Sequence, residues 1–137
     1  MKFVLYVMII AMSIGLVACG GKKYEDKSKD IVQSVESVKI GNLEVALTDL
    51  GRFTWFNAPE ECAKLGDGWR LPTKDELTVL YQNKDKIGGF EIGYYWSSTE
   101  YNDDDAYYQF FTPGPPEEKP SYGPKIYNNS VRAVRTL

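Results

Sequence analysis

Few side chains in this sequence are suited to catalysis, and no activating base accompanies them. Histidine, the commonest general base and a common metal ligand, does not occur among the 137 residues. Ser97, Ser98 and Thr99 form a run of hydroxyls without a histidine or an obvious lysine base beside them. Cys62 has no histidine to activate it, and its place in a helical pattern favours a buried, inert thiol. We therefore expect neither enzymatic activity nor a bound cofactor.

The most distinctive polar segment is the run Asn102-Asp103-Asp104-Asp105. Clustered carboxylates without histidine suit a hard cation such as Ca²⁺, although the spacing fits no EF-hand loop. A solvated turn between two strands is the favoured alternative. The neighbouring sequence is rich in tyrosines, namely Tyr101, Tyr107, Tyr108, Tyr122 and Tyr127. Exposed tyrosines beside an acidic turn are typical of a recognition surface, and half-buried ones would instead cover a small core.

If the chain recognises a ligand, we expect the contact surface in the loops between Glu100 and Pro124. Loops on a rigid sheet commonly carry binding residues, and the prolines lower the entropy lost on ordering. The candidate residues are Tyr101, Asp103, Asp104, Asp105 and Tyr122. The ligand would be a glycan or a protein, and the acidic turn disfavours highly anionic glycans.

Two tryptophans and one arginine also invite a binding role. Trp69 and Trp96 could stack on a sugar, but we predict that both anchor the core. Arg70 could bind an anion, but we predict that it pairs with a carboxylate near the following helix. No metal site is expected from these residues.

The first 18 residues predict a signal peptide. Lys2 precedes an apolar run that is too short for a comfortable membrane span but suits a signal-peptide core. Leu16 to Cys19 resembles the lipobox of bacterial lipoproteins, in which the cysteine is lipidated and becomes the new N-terminus. This resemblance implies attachment to a membrane through Cys19. An ordinary secretory signal or an N-terminal membrane anchor is the alternative.

The remaining chain divides into a tether at 19–38 and a folded domain at 39–137. Residues 20–38 are polar and mixed in charge, so they cannot bury enough surface to offset chain entropy. The full chain has 19 acidic and 16 basic residues without a basic block, which argues against nucleic acid as a partner.

Hydrophobic periodicity and turn residues predict an α+β domain. Two helices begin at predicted capping boxes, Asn57 with Glu60 and Thr73 with Glu76. Leu77, Leu80 and Tyr81 should face inward from the second helix. The predicted strands are 42–47, 52–56, 94–98, 106–111 and 131–134. Residues 112–124 are rich in proline and glycine and are predicted to form a loop.

Several segments resemble one protein family in their order and spacing. They include GWRLPTKDEL at 68–77, YYWSSTEY at 94–101 and VRAVR at 131–135. Together they are similar to the Lcl C-terminal domain (DUF1566), whose relatives include the Fibrobacter major paralogous domain. The resemblance implies a C-type-lectin-like fold in an extracytoplasmic, often surface, setting. In collagen-like adhesins it also implies binding of host glycans.

One position departs from the family pattern. Relatives commonly carry cysteine in the middle of the last motif, and the resemblance implies a disulfide from there to the position of Cys62. This chain has Ala133 instead, so Cys62 is expected to remain reduced. The expected function is a lipid-anchored binding or adhesion protein of the outer membrane or cell surface. A structural or assembly subunit of an envelope complex is the alternative.

Overall fold

Two β-sheets and three helices make up the described part of the chain, which confirms the α+β class. The structure is a computed structural model that describes residues 34–115 and 119–137. The predicted signal peptide, the predicted lipidation site and most of the predicted tether therefore lie outside the described residues.

The smaller sheet is antiparallel and contains three strands in the order β1-β2-β8. Its strands are β1 (Ser37–Ile40), β2 (Leu43–Ala46) and β8 (Val134–Thr136). Gly41 has a φ of 61°, which suits the first position of the two-residue turn between β1 and β2. Strand β1 begins two residues before the predicted domain boundary at 39, and Val35 packs against the core.

The larger sheet contains five strands in the order β3-β7-β4-β5-β6. Its strands are β3 (Arg52–Phe53), β4 (Gly93–Glu100), β5 (Asp105–Phe111), β6 (Ser121–Pro124) and β7 (Asn129–Ser130). The β4–β5 hairpin is its longest pair, and the β4–β7 pair is parallel.

Three helices connect these strands: α1 (Ala58–Ala63), α2 (Lys74–Gln82) and α3 (Lys84–Ile87). Helix α2 has the predicted capping box, because the Thr73 hydroxyl accepts from the Glu76 N–H while the Glu76 carboxylate accepts from the Thr73 N–H. Helix α1 has no such cap. Asn57 is in helical geometry and its side chain accepts no capping hydrogen bond, so that prediction is wrong.

The large sheet separates two hydrophobic clusters. Neighbouring residues of a strand point to opposite faces, so Tyr95 enters one cluster and Trp96 the other. The first cluster contains Leu77, Leu80 and Tyr81 of α2, which confirms the predicted inward face. The second contains Cys62, Trp69, Leu71, Ala106, Val131 and Ala133.

Three strand predictions need correction. The second strand ends at Phe53 rather than at 56. The predicted loop 112–124 contains β6, which completes the sheet beside β5 in spite of its proline and glycine. Residues 131–133 of the predicted strand 131–134 form a buried crossing between β7 and β8, and residue 134 is the first residue of β8. There Val131 and Ala133 exchange backbone hydrogen bonds with the segment 46–51 instead of with a ladder partner.

Candidate functional site

The candidate site is built on the turn that joins β4 to β5. Asn102 shapes this turn, because its Oδ1 accepts hydrogen bonds from the N–H groups of Asp104 (2.8 Å) and Asp105 (2.7 Å). The Tyr101 N–H donates to the Asp105 carbonyl at 3.0 Å and closes the hairpin. The favoured interpretation of the acidic run, a turn between two strands, is therefore confirmed.

A buried lysine lies beneath the turn, and the sequence analysis did not identify it. The Lys125 Nζ donates to Glu100 Oε2 (2.9 Å) and to the carbonyl oxygens of Asn102 (2.8 Å) and Asp103 (2.7 Å). It also lies 4.8 Å from the centre of the Trp55 ring. An ammonium has three donors, so this group is fully satisfied. Lys125 directly follows a glycine–proline pair, and no local sequence pattern indicated its burial.

The ammonium of Lys125 argues against a Ca²⁺ site in the acidic turn. Ca²⁺ sites use backbone carbonyls as well as carboxylates, and here two carbonyls of the turn already face a cation of the chain itself. Within residues 34–115 and 119–137, no group of three acidic or cysteine side chains is arranged to hold a metal ion.

Tyr101 and Tyr122 form an exposed pair of stacked rings above the turn. Their centroids are 3.6 Å apart with an interplanar angle of 9°. Both side chains remain open to solvent, at 46% and 45% exposure. Tyr107 meets both rings edge-on, and Lys74 lies over the Tyr107 ring at 4.6 Å. A hydrogen bond with Tyr101 is the main reason that the pKa of Tyr122 is raised.

The five candidate ligand residues therefore lie in one region, although their roles differ. Asp105 Oδ2 accepts from the Asn102 side chain at 3.1 Å, so Asp105 helps to hold the turn. Asp103 and Asp104 are exposed, and no described residue donates a hydrogen bond to their carboxylates. Tyr101 and Tyr122 provide the aromatic area.

The two tryptophans considered for sugar stacking and the hydroxyl residue Ser97 are buried, whereas Ser98 is exposed and Thr99 is half-buried. Trp69 and Trp96 are both core residues, as predicted, and the Trp96 Nε1 donates to the Phe53 carbonyl at 2.8 Å. Ser97 is fully buried and donates to the Tyr107 carbonyl at 2.7 Å.

Cys62 is a free and fully buried thiol, which confirms the prediction for its helix face. Burial raises the pKa of this thiol to about 12. Ala133, at the position where the related motif carries cysteine, belongs to the same core cluster.

Arg70 pairs with Glu76, as predicted. The two guanidinium nitrogens lie 2.7 and 2.9 Å from the two carboxylate oxygens, which is a bidentate geometry. This hydrogen bonding to Arg70 is the main reason that the pKa of Glu76 is lowered. The arginine thereby fixes the same carboxylate that caps α2.

A second buried cation lies near the other end of the β4–β5 hairpin. Arg132 is fully buried and donates to Asp49 Oδ1 (2.5 Å) and to the carbonyls of Ala46 (3.0 Å), Gly88 (3.1 Å) and Gly89 (2.7 Å). Glycine is required at position 89, because its φ is 72° and an added Cβ would lie 2.7 Å from the Leu47 carbonyl. Arg132 lies within the motif VRAVR, but the motif alone does not indicate this role.

A cavity of about 310 Å³ lies beside this second cation, between the segment 88–92 and the end of β5. Phe90, Ile92, Phe111 and Pro113 contribute apolar lining, and Lys84, Asp85 and Glu91 contribute charge. Phe90 is covered on its faces by Phe111 and by the Arg132 guanidinium. No local sequence pattern indicates this cavity.

Comparison with known proteins gives no family for the chain. No protein-family model matches it, and no curated protein matches it. Among the described residues, no helix has the length and apolar character needed to cross a membrane.

Proposed function

We propose that this chain is a lipid-anchored envelope protein whose folded domain is a lectin-like binding module without catalytic activity. The membrane attachment would be made through lipid on Cys19, at the outer membrane or cell surface. The ligand would be a glycan or a protein, and the domain would take the C-type-lectin-like fold that the sequence resemblance implies.

The exposed ring pair of Tyr101 and Tyr122 is the observation that carries the binding function. Tyrosines are enriched at recognition surfaces because they offer a large contact area at a low entropic cost. Lys125 and Asn102 hold the hairpin beneath the pair, so little ordering entropy should be lost when a ligand binds.

The buried residues of the two recognised sequence motifs are used for the core, and the binding residues are expected elsewhere. Trp69 and Leu71 of the GWRLPT segment and Trp96 of the YWSST segment are buried in one cluster. Because these side chains are buried in the core, they cannot contact a ligand, and the loops are expected to do so. Their common burial supports a shared fold with the family that the sequence resembles.

Two of the nucleophilic side chains, Cys62 and Ser97, are buried, which supports a domain without catalytic activity. The Cys62 thiol is buried with a raised pKa, so its reactive thiolate form is disfavoured. Ser97 is occupied by a hydrogen bond inside the sheet.

Capture of a ligand from envelope extract tests the binding function. Purified wild-type chain should retain a glycan or protein that the Tyr101→Ala variant loses, while Tyr94→Ala retains it. Tyr94 is a matched control because it is equally exposed, at 46%, but contacts Tyr108 and Phe110 instead. Equal retention by wild type and Tyr101→Ala would refute the proposed surface.

Metabolic labelling with palmitate tests the anchor. Wild-type chain should be labelled and recovered with membranes, whereas Cys19→Ala should accumulate as an unlabelled precursor. Several acyl chains make such attachment stable, because each buried CH₂ contributes about 0.8 kcal/mol. Normal labelling of Cys19→Ala would disprove lipidation at that residue.

The second candidate function is an assembly subunit of an envelope complex, and one apolar surface favours it. Phe56 and Ile126 are 60% and 70% exposed. The residues before them are joined by a hydrogen bond from the Trp55 N–H to the Lys125 carbonyl at 3.0 Å, which brings the two segments together. Phe56→Ser with Ile126→Ser should abolish co-purification of a partner if assembly is the function, whereas Tyr101→Ala should not.

A further inference from the structure

The hairpin end of the large sheet already places two cations of the chain on aromatic rings. Lys74 lies 4.6 Å from the centre of the Tyr107 ring, and Lys125 lies 4.8 Å from the centre of the Trp55 ring. A cation over a ring face is attracted by the ring quadrupole. The aromatic surfaces of this region are therefore used for cation binding inside the protein.

The ring pair of Tyr101 and Tyr122 remains open for the same kind of contact. Each ring covers one face of the other, so the exposed part of each side chain is its outer face and rim. Tyr107 contacts both rings edge-on and adds a wall without covering the outer faces of the pair.

The charge beside the ring pair is negative. Asp103 and Asp104 are exposed, with carboxylates that receive no hydrogen bond from a described residue. Lys125 forms no ion pair with either carboxylate, because its ammonium donates to Glu100 and to two backbone carbonyls of the turn. A partner that covers the rings therefore meets two carboxylates without an ion pair to a described residue, while the nearby Lys74 ammonium already lies over the Tyr107 ring.

We propose that the ring pair of Tyr101 and Tyr122 is a docking site for an arginine-bearing basic segment of a protein partner. The planar guanidinium stacks on an aromatic face and can also donate two parallel hydrogen bonds to a carboxylate such as that of Asp103 or Asp104. An ammonium lacks the planar geometry, so the site should prefer arginine to lysine. This inference rests on the proposed binding function and names the chemical class of its ligand.

Fluorescence anisotropy with three labelled peptides tests the inference on the full chain. The probes alternate glycine with arginine, with lysine or with glutamate and are otherwise identical. The arginine peptide should bind most tightly, the lysine peptide more weakly and the glutamate peptide not at all. Binding should weaken as salt is raised through about 0.15 M, because the carboxylate contacts are exposed.

Matched variants separate the aromatic contribution from the charge contribution. Replacing Tyr101 and Tyr122 together by serine should weaken arginine-peptide binding by about tenfold, since two exposed cation–π contacts are lost. Asp103→Asn with Asp104→Asn should weaken binding by a few fold and flatten its salt dependence. Glu60→Gln with Asp67→Asn removes the same net charge from exposed positions near α1. This variant should change neither the affinity for the arginine peptide nor the salt dependence of binding.

Two results would overturn the inference. One is arginine-peptide binding no tighter than glutamate-peptide binding, and the other is unchanged binding by the double serine variant with native circular dichroism. If the arginine peptide fails while an envelope ligand is still lost by Tyr101→Ala, the basic-segment inference falls and the proposed binding function stands.

Discussion

The two buried cations, Arg132 and Lys125, are held in similar ways but hold together different regions of the protein. Arg132 and Lys125 each donate to one carboxylate and to backbone carbonyls. The carboxylate partner of Arg132, Asp49, is only 15% exposed, whereas the partner of Lys125, Glu100, is 57% exposed. The ion pair of Arg132 therefore lies almost wholly inside the protein, whereas the carboxylate that pairs with Lys125 is open to solvent.

The difference follows from what each cation connects. Arg132 joins the segment after β2 to the segment after α3, and Asp49 in turn accepts from the Tyr95 hydroxyl at 2.5 Å. Loss of this cation would leave buried acceptors without donors. Lys125 joins the segment after β6 to the end of β4 and to the turn between β4 and β5, and water can replace many of its contacts. Arg132 thus stabilises the fold, and Lys125 fixes the shape of the candidate binding surface.

The largest expected effect comes from Arg132→Met. It removes the charge while keeping much of the side-chain volume, and it leaves Asp49 and three carbonyls without their donor. The free energy of unfolding in urea should fall by about 3–5 kcal/mol. Arg52→Met, at an exposed position without an ion pair to a described residue, should change it by less than about 0.5 kcal/mol.

A loss below about 1 kcal/mol in Arg132→Met would contradict the structural role assigned to that cation. If the variant does not fold, Asp49→Asn provides a milder test, since the neutral amide still accepts from the guanidinium. Asp49→Asn should lower the free energy of unfolding by less than Arg132→Met does and by more than Arg52→Met does.

Lys125→Met should have a smaller and more local effect. The Glu100 carboxylate remains hydrated, so we expect a loss of about 1–2 kcal/mol in the free energy of unfolding. Amide hydrogen exchange should accelerate at Tyr101 and Asn102, whose N–H groups donate to the Asp105 carbonyl, while amides of α2 keep their protection. Unchanged exchange at the turn would show that Lys125 does not hold it.

Helices α1 and α2 differ in how their first turns are capped. Thr73→Ala removes a hydroxyl that caps α2 and should cost about 1 kcal/mol in the free energy of unfolding. Asn57→Ala should cost less than about 0.5 kcal/mol, because the Asn57 side chain caps nothing. Equal losses from the two variants, measured in urea, would remove the distinction between the helix starts.

Local patterns predicted the features that depend on neighbouring residues. The Thr73 capping box, the inward face of α2 and the burial of Cys62 follow from residues within one or two helical turns. Arg70 lies six positions before its partner Glu76, within reach of the same local argument. The acidic turn was likewise recognisable from its composition and its flanking strands.

The features that depend on distant residues could not be predicted in this way. Arg132 binds carbonyls at Ala46 and Gly88, and Lys125 reaches back to Glu100, so their burial is decided by topology. Strand β6 was missed because Gly123 and Pro124 disfavour a strand locally. Gly123 is nevertheless suited to its place, since a Cβ there would lie 2.7 Å from the Tyr108 ring.

A small effect on stability is also expected from the ring pair itself. Tyr101 and Tyr122 are about half exposed, so each removal forfeits little burial, and the stacked contact should contribute about 0.5–1.5 kcal/mol as an aromatic pair. Tyr101→Ser, Tyr122→Ser and the double variant form a thermodynamic cycle in urea that isolates this contact. The single variants should each cost less than Lys125→Met, and hydrogen exchange at Asn102 should stay slow, because Lys125 and Asn102 hold the turn from below. A turn that loosens when Tyr101 is removed would mean that the rings support the hairpin. In that case weaker ligand binding by Tyr101→Ala would report a disordered loop, and only the charge variants at Asp103 and Asp104 would still measure contact with a partner.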